Sequence, residues 1–274
     1  MLAGAFGSVL GIGGGLFIIP SLTLFLGIKL KTAIAASIVA VIATSLGGGN
    51  VYVRRHMADI RLGLLLALAT APSAVVGALL ATHVSSRVLA AVFAVILIAS
   101  AYRMLASMQT AQRLATIEAT PVETEDRGLR FRGSYLEAST GETIRYRVKN
   151  VPLGVAASVA AGLISGMLGV GGGIVQVPVM NLLMRVPIKV ATTTSTYIIG
   201  ITAVAGAFVY YNHRPSYIDP SLAVPVTIGV FLGASIGSNL LGRVSQSALR
   251  TTFTAVMTIY AVQMVLRVFG IGGG

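Results

Sequence analysis

Hydrophobic residues run along most of this chain without interruption by charge. Eight runs contain no Asp, Glu, Lys or Arg: residues 1–28, 32–53, 62–86, 88–102, 150–184, 190–213, 220–242 and 251–266. Most of them reach or approach the roughly 20 residues that a membrane-spanning helix needs. The two shortest runs can extend past flanking arginines, whose side chains reach back to the membrane surface. The pattern predicts an all-α polytopic membrane protein.

The second half of the chain repeats the first. Residues 11–20 (GIGGGLFIIP) recur 158 residues later as residues 169–178 (GVGGGIVQVP), and matches continue along both halves. Self-similarity of this kind predicts two homologous structural repeats, here of four hydrophobic segments each. We expect the first repeat over residues 1–107 and the second over residues 150–274.

A polar stretch, residues 108–149, separates the repeats and holds six of the eight acidic residues. Residues 129–137 and 142–148 alternate between apolar and polar side chains around a Gly-containing turn, which predicts a small β-hairpin. We expect this stretch to be a connecting loop, and its basic residues place it in the cytoplasm. A regulatory or lid role is the alternative.

The relative orientation of the repeats depends on the two glycine segments. If residues 1–28 and 151–184 each cross the membrane once, four spans per half make the repeats parallel. If each segment is a re-entrant hairpin broken at its glycines, three spans per half invert the second repeat. The 35 uncharged residues of 150–184 suffice for two half-helices. The inverted arrangement is therefore favoured, with slight support from the distribution of Lys and Arg between the loops.

Composition narrows the class of protein. The chain has 274 residues, of which only 10% are charged, and a net charge of +12. Its Lys and Arg residues lie between the apolar runs, where they orient a membrane protein, so we expect a lipid bilayer and no nucleic acid as partner. The absence of cysteine excludes disulfides and thiolate metal sites. No histidine pair has metal-ligand spacing and no catalytic set is recognisable, so no cofactor, metal or enzyme activity is predicted.

The glycine clusters are the first candidate site. Each glycine in a helix interior costs about 1 kcal/mol relative to alanine, so three in a row predict a helix break rather than a helix. Half-helices that begin near Leu16 and Ile174 would point free N–H groups at the break and favour an anion. Close helix packing is the alternative explanation. The predicted substrate-binding glycines are Gly13, Gly14, Gly15, Gly171, Gly172 and Gly173.

Polar side chains near the glycines extend the candidate site. Gln176 and Asn181 flank Pro178 and are costly in a bilayer without partners, so they serve either an interhelical hydrogen bond or the substrate. The second helix of each half is rich in hydroxyls, which can bind an oxyanion without a full countercharge. Bonding to carbonyls of their own helix is the alternative. The hydroxyl candidates are Ser37, Thr44, Thr194 and Ser195.

Two equivalent acidic residues, Asp59 and Asp219, stand at the start of the third helix of each half. Pro220, a residue favoured in the first turn of a helix, follows Asp219 directly. We predict that both aspartates cap the helices that follow them.

The paired Gly-x-Gly-Gly-Gly-x-x-x-x-Pro segments resemble the signature of the sulfite exporter TauE/SafE family of membrane proteins. Residues 33–37, the Arg54-Arg55 pair and the Gly77 and Gly237 helices resemble later landmarks of that family. The resemblance implies a multi-pass inner-membrane permease for sulfite, sulfoacetate or related organosulfur anions. It also implies a central pathway formed by the glycine-rich segments and neighbouring polar residues.

The sequence thus leads to a functional hypothesis. We expect a secondary transporter that exports small sulfur-containing oxyanions, such as sulfite or organosulfonates, from a site between the two broken segments. An anion channel, or a non-transport membrane scaffold that acts through residues 108–149, are the alternatives. The particular anion, the coupling ion, the direction of transport and any homo-oligomer are left open.

Overall fold

The computed structural model describes residues 1–54, 57–96, 98–99, 102, 132–136, 143–213, 215–240, 258–259 and 262. The first half contains helices α1 (Leu2–Leu10), α2 (Gly15–Phe25), α3 (Leu30–Arg54), α4 (Ile60–His83) and α5 (Ser86–Ile96). Strands β1 (Arg132–Leu136) and β2 (Thr143–Arg147) follow. The second half contains α6 (Val151–Leu168), α7 (Gly173–Leu183), α8 (Ile188–Asn212) and α9 (Pro220–Leu240). Its last predicted segment, residues 251–266, lies largely outside the described residues.

Five of these helices are long and apolar enough to cross a membrane by length and composition: α3, α4, α6, α8 and α9. Large apolar side chains also lie on their outer surfaces, as Leu68 on α4 is 76% exposed and Phe208 on α8 is 69% exposed. A lipid environment accommodates such side chains without the cost that water would impose. The predicted all-α polytopic membrane protein is confirmed.

Both predicted helix breaks are present. The first separates α1 from α2, and its Gly11, Gly13 and Gly14 have φ angles of +70°, +84° and +76°. The second separates α6 from α7, with φ angles of +63°, +81° and +70° at the equivalent glycines 169, 171 and 172. A β-carbon disfavours this left-handed conformation, whereas glycine adopts it freely. The helices therefore break at these glycines because glycine adopts backbone angles that other residues disfavour.

The chain reverses direction at each break. In the second half, the N–H of Lys149 donates to the Met184 carbonyl at 2.9 Å, so the start of α6 lies beside the end of α7. In the first half, the ring centroids of Phe6 on α1 and Phe17 on α2 are 5.7 Å apart. Each glycine segment is thus a helical hairpin, which agrees with the re-entrant alternative.

The inverted arrangement of the repeats agrees with these hairpins but stays a prediction. Its proof requires the fourth segment of each half to cross the membrane, and the fourth segment of the second half, residues 251–266, lies largely outside the described part of the chain. The repeat boundaries at residues 107 and 150 likewise stay predictions.

The two halves interlock through an exchange of helices. Helix α1 packs against α9 of the other half, and α6 packs against α4. At Gly77 on α4, a β-carbon would collide with the Leu163 carbonyl of α6. At Gly237 on α9, the equivalent position, it would lie 2.6 Å from the α-carbon of Ala5 on α1. Glycine allows the backbones this close approach, so each repeat completes the core of the other.

Prolines end the regular α-helical part of both short half-helices. After Pro20 and Pro178 the chain continues as π-helical turns over Ser21–Phe25 and Val179–Leu183. Proline has no N–H to donate, so the regular pattern of i to i−4 hydrogen bonds is interrupted at this point. Each proline thus marks the point at which a half-helix leaves the regular α-helical form.

The predicted β-hairpin in the polar loop is also confirmed. Strands β1 and β2 pair antiparallel, from Arg132 opposite Arg147 to Leu136 opposite Thr143. The turn between them, residues 137–142, lies outside the described residues. The Tyr146 hydroxyl donates to Asp59 Oδ2 at 3.0 Å, so the hairpin is attached to the helical body near the start of α4.

Candidate functional site

The two glycine breaks touch each other in the interior of the protein. A β-carbon on Gly15, the first residue of α2, would lie 2.6 Å from the Gly169 carbonyl oxygen of the second break. A β-carbon on Gly173, the first residue of α7, would collide with the Gly11 carbonyl oxygen of the first. Because neither position has room for a side chain, glycine is what lets the breaks meet.

Two serines join the breaks across the repeats. Ser37 Oγ on α3 donates to the Gly169 carbonyl at 2.8 Å, and Ser195 Oγ on α8 donates to the Gly11 carbonyl at 2.8 Å. Both serines are fully buried. Each repeat thus supplies the hydroxyl that binds the other repeat's break, and the structure brings these two predicted residues to the glycines.

Thr44 is the third hydroxyl candidate at the contact. Its Oγ1 donates to the Gly13 carbonyl at 3.1 Å and lies 3.2 Å from the Ala40 carbonyl of its own helix. Its equivalent in the second repeat, Thr202, instead pairs with Thr70 Oγ1 at 3.0 Å. The carbonyl of Gly13 is therefore satisfied by a hydroxyl, whereas no hydroxyl among the described residues donates to the equivalent Gly171 carbonyl.

An aliphatic pair, Val41 and Ile199, lies between the breaks. A β-carbon on Gly13 would be 2.8 Å from Ile199 Cδ1, and one on Gly171 would be 3.0 Å from Val41 Cγ1. Both side chains are fully buried. Sequence reasoning missed them because Val and Ile in an apolar run have no distinctive signal. Only their equivalence at the repeat offset of 158 residues could have found them.

Two buried tyrosines hold the helices that lead into the breaks. Tyr52 donates to the Ser8 carbonyl on α1 at 3.1 Å, and Tyr210 donates to the Gly166 carbonyl on α6 at 3.0 Å. Hydroxyls of this kind satisfy carbonyls that a helix leaves free near its end. The pairing of these tyrosines in the repeat was visible in the sequence, but their partners were not.

Several backbone hydrogen-bond donors at the contact are free. In the described part of the chain, the N–H groups of Gly15 and Leu16, and those of Gly173 and Ile174, donate no hydrogen bond. All four lie in the first turn of a half-helix, where the helix dipole adds positive potential. The Lys, Arg and Asp residues that the structure describes lie at helix ends or in loops. Free donors at helix N-termini are the groups that suit a small anion.

The remaining candidates have partners elsewhere. Gln176 Nε2 donates to Ser158 Oγ on α6 at 3.3 Å, and Asn181 Nδ2 donates to the Val186 carbonyl at 2.9 Å. Thr194 Oγ1 accepts the N–H of Asp59 at 2.9 Å, near the start of α4. These contacts are hydrogen bonds that hold the hairpin and the helix ends, and a substrate role for the three residues stays a prediction.

The chain matches the sulfite exporter TauE/SafE family over residues 1–264. It belongs to this family. One relative of this TauE/SafE protein is the probable membrane transporter protein YunE of Bacillus subtilis, 24% identical over 97% of this chain and 94% of the relative. Another is the probable membrane transporter protein MJ0441 of Methanocaldococcus jannaschii, 23% identical over 97% of this chain and 92% of the relative. No solved structure matches.

Membership confirms the family resemblance that the glycine segments predicted. This TauE/SafE family member is a membrane transporter, which agrees with its polytopic helical fold. The names of the relatives identify no substrate.

Proposed function

We propose that this TauE/SafE family member is a secondary transporter that exports small sulfur-containing oxyanions, such as sulfite or an organosulfonate. Its site is the contact between the two glycine breaks. The observation that carries this proposal is the set of free N–H groups at the starts of α2 and α7, where hydroxyls of Ser37 and Ser195 already satisfy the neighbouring carbonyls. The family description, sulfite exporter, supports the substrate class.

Neutral donors suit a transported anion. Backbone N–H groups and hydroxyls stabilise an oxyanion without a fixed countercharge, so binding is favourable but release is not blocked by a desolvated ion pair. Carriers commonly place such half-helix termini at the point where two repeats meet, near the middle of the bilayer. In this protein the interlocked hairpins bring the two half-helix termini together where the repeats meet, which supports the proposal.

Export is the favoured direction on energetic grounds. A membrane potential that is negative inside favours the outward movement of an anion by about 2.3 kcal/mol per charge per 100 mV. We place the protein in the inner membrane of the cell, with residues 108–149 in the cytoplasm, because basic loops stay on that side.

Counterflow in proteoliposomes tests the proposal. Vesicles loaded with unlabelled sulfite are diluted into radiolabelled sulfite, and sulfate, thiosulfate, taurine and sulfoacetate compete in parallel. A carrier shows accelerated, saturable exchange, because substrate on both sides of the membrane lets the loaded site return. The strength of inhibition by each competitor then ranks the anions. Flux that rises linearly without counterflow indicates a channel.

Absence of flux of any of these anions in correctly folded protein contradicts the proposal. Deletion of residues 112–147 then distinguishes the scaffold alternative. A carrier retains exchange without that loop, whereas a scaffold that acts through the loop loses its function.

A further inference from the structure

The helices that precede the two glycine breaks differ at several positions, and one of these positions faces the break. Position 7 on α1 is glycine, and its equivalent 158 residues later on α6 is Ser165. A β-carbon on Gly7 would collide with the backbone nitrogen of Gly14. At the second break Ser165 does carry a side chain, and its Cβ lies beside Gly172, 3.1 Å from the position that a β-carbon would take there. The Ser165 side chain therefore points towards the second break.

The hydroxyl of Ser165 is buried and has no hydrogen-bond partner within the described part of the chain. Serine in a helix usually donates to the carbonyl four residues earlier. Ser158, on the same helix, does so to the Gly154 carbonyl at 2.8 Å, and Ser73 on α4 does so to Ala69 at 2.9 Å. Buried hydroxyls in proteins are nearly always partnered, and the free hydroxyl of Ser165 lies beside the second break, so it is available to a ligand there.

The backbone of the second break is also less satisfied than that of the first. In the first break, the N–H groups of Ile12 and Gly13 donate to the Gly7 carbonyl at 3.0 and 3.2 Å. Their equivalents, Val170 and Gly171, donate to no acceptor among the described residues. Additional unpaired N–H donors therefore lie at the second break, where Ser165 also lies.

We infer that the second break alone holds the transported oxyanion and that Ser165 Oγ donates a hydrogen bond to one of its oxygens. This inference rests on the proposed function, since the ligand it assigns is the transported anion. The first break is closed by its own hydrogen bonds and by Thr44, so its role is structural. It holds the α2 half-helix in place beside the site.

The test compares Ser165→Ala with Thr227→Val in the full-length protein. Thr227 on α9 is the matched control because its hydroxyl is likewise buried and unpartnered among the described residues, whereas it belongs to another helix. Two readouts are taken for each variant: the half-saturating concentration for sulfite counterflow, and the rise in unfolding temperature that sulfite causes in detergent. Ser165→Cys, which keeps a weaker donor of similar size, is the intermediate variant.

We expect Ser165→Ala to raise the half-saturating concentration about tenfold, the effect of one lost hydrogen bond to a charged ligand. Its sulfite-induced rise in unfolding temperature should shrink correspondingly. Ser165→Cys should fall between it and the wild type, and Thr227→Val should match the wild type. Unchanged values for Ser165→Ala, in a wild type that transports sulfite, overturn the inference and leave the proposed function intact.

The thermal readout separates the two proposals when there is no flux. If the wild type transports no sulfite but sulfite stabilises it through Ser165, the transport proposal fails and the binding site stands. If sulfite neither moves nor stabilises the wild type, both fail for this anion class.

Discussion

At the scale of residues, glycine at a positive φ has two separate uses in this protein. Gly27, in the loop after α2, has a φ of +64°, and a β-carbon added there would have no neighbour within 4 Å, so it serves the turn alone. Gly172 has a φ of +70° and would place a β-carbon 3.0 Å from the Ala161 carbonyl and 3.1 Å from Ser165 Cβ. Only the second kind of glycine is tied to the site.

This difference gives a prediction for Gly172→Ala, with Gly27→Ala as its control. Both variants place alanine in the left-handed region, so each should lose about 1–2 kcal/mol of stability. Only Gly172→Ala crowds the break, so we expect it to reduce anion counterflow at least tenfold while Gly27→Ala transports normally. Denaturation in detergent and counterflow measure the two effects. Equal transport by both variants would show that the second break is not the site.

At the scale of elements, the equivalent caps of α4 and α9 have different surroundings. Asp59 Oδ1 accepts the N–H of Leu62 at 3.0 Å and Asp219 Oδ1 accepts that of Ser221 at 3.0 Å, so both predicted caps are confirmed. Asp219 is exposed and also accepts the Ser221 hydroxyl at 2.7 Å. Asp59 also binds Tyr146 of the polar loop. Both repeats thus keep the helix cap, and in the first half the capping aspartate also anchors the polar loop.

The cap of α9 predicts a dependence of stability on pH. Hydrogen bonds from the side chain and then the backbone of Ser221 hold the pKa of Asp219 below its ordinary value. The folded state then binds this proton less readily than the unfolded state, so the stabilisation is present above about pH 4 and is lost as the pH falls through the folded pKa. We expect the advantage of the wild type over Asp219→Asn in unfolding temperature to shrink between pH 5 and pH 3. A constant difference over that range contradicts this.

The hydrogen bond between Tyr146 and Asp59 predicts how the loop is held. Tyr146→Phe removes the hydroxyl that anchors β2 to the start of α4, and the loss of a hydrogen bond to a charged acceptor costs about 1.5–3 kcal/mol. We expect faster amide hydrogen exchange in residues 143–147 than in the wild type, with transport retained. Tyr211→Phe, at a tyrosine that is 66% exposed, is the control. Unaltered exchange in Tyr146→Phe would show that the strand is held by its other contacts.

At the scale of the whole molecule, the repeats do not form separate cores. Helix α4 packs on α6 and helix α9 packs on α1, so each pair joins the two halves. The hydrogen bonds of Ser37 and Ser195 also cross between the halves. The apolar faces of one repeat are therefore covered only when the other is present. A duplicated sequence in this protein encodes one interlocked structure.

Splitting the chain tests this interdependence. With a cut after residue 120, in the polar loop, we expect either half alone to be degraded because its packing faces stay uncovered. Co-expression of the two halves should restore folded protein and anion counterflow, since the helices themselves are complete. Stable accumulation of one half by itself, measured by expression level in membranes, would contradict the interlocked arrangement.

Much of the fold could be predicted from the sequence because its determinants are local. Charge-free runs located the helices, glycines at 11–15 and 169–173 located the breaks, and alternation around residues 138–141 located the hairpin. Part of the site could be predicted for the same reason: glycines marked the backbone geometry, and the repeat singled out Ser37 and Ser195. Val41 and Ile199 could not, because their role comes from the contacts they make and their residue types are common in any membrane helix.

The membrane class, the duplication, the breaks and the caps all follow from the order of residues, since each depends on hydropathy or on backbone preferences within a few residues. Tertiary packing was needed to establish that the two breaks touch and that each serine serves the opposite repeat. It also left Ser165 without a partner among the described residues, while Gln176, Asn181 and Thr194 have theirs. The contacts of the two serines join groups more than 100 residues apart in the chain. A hydroxyl in an apolar run looks the same in the sequence whether packing has given it an acceptor or left it free for a ligand.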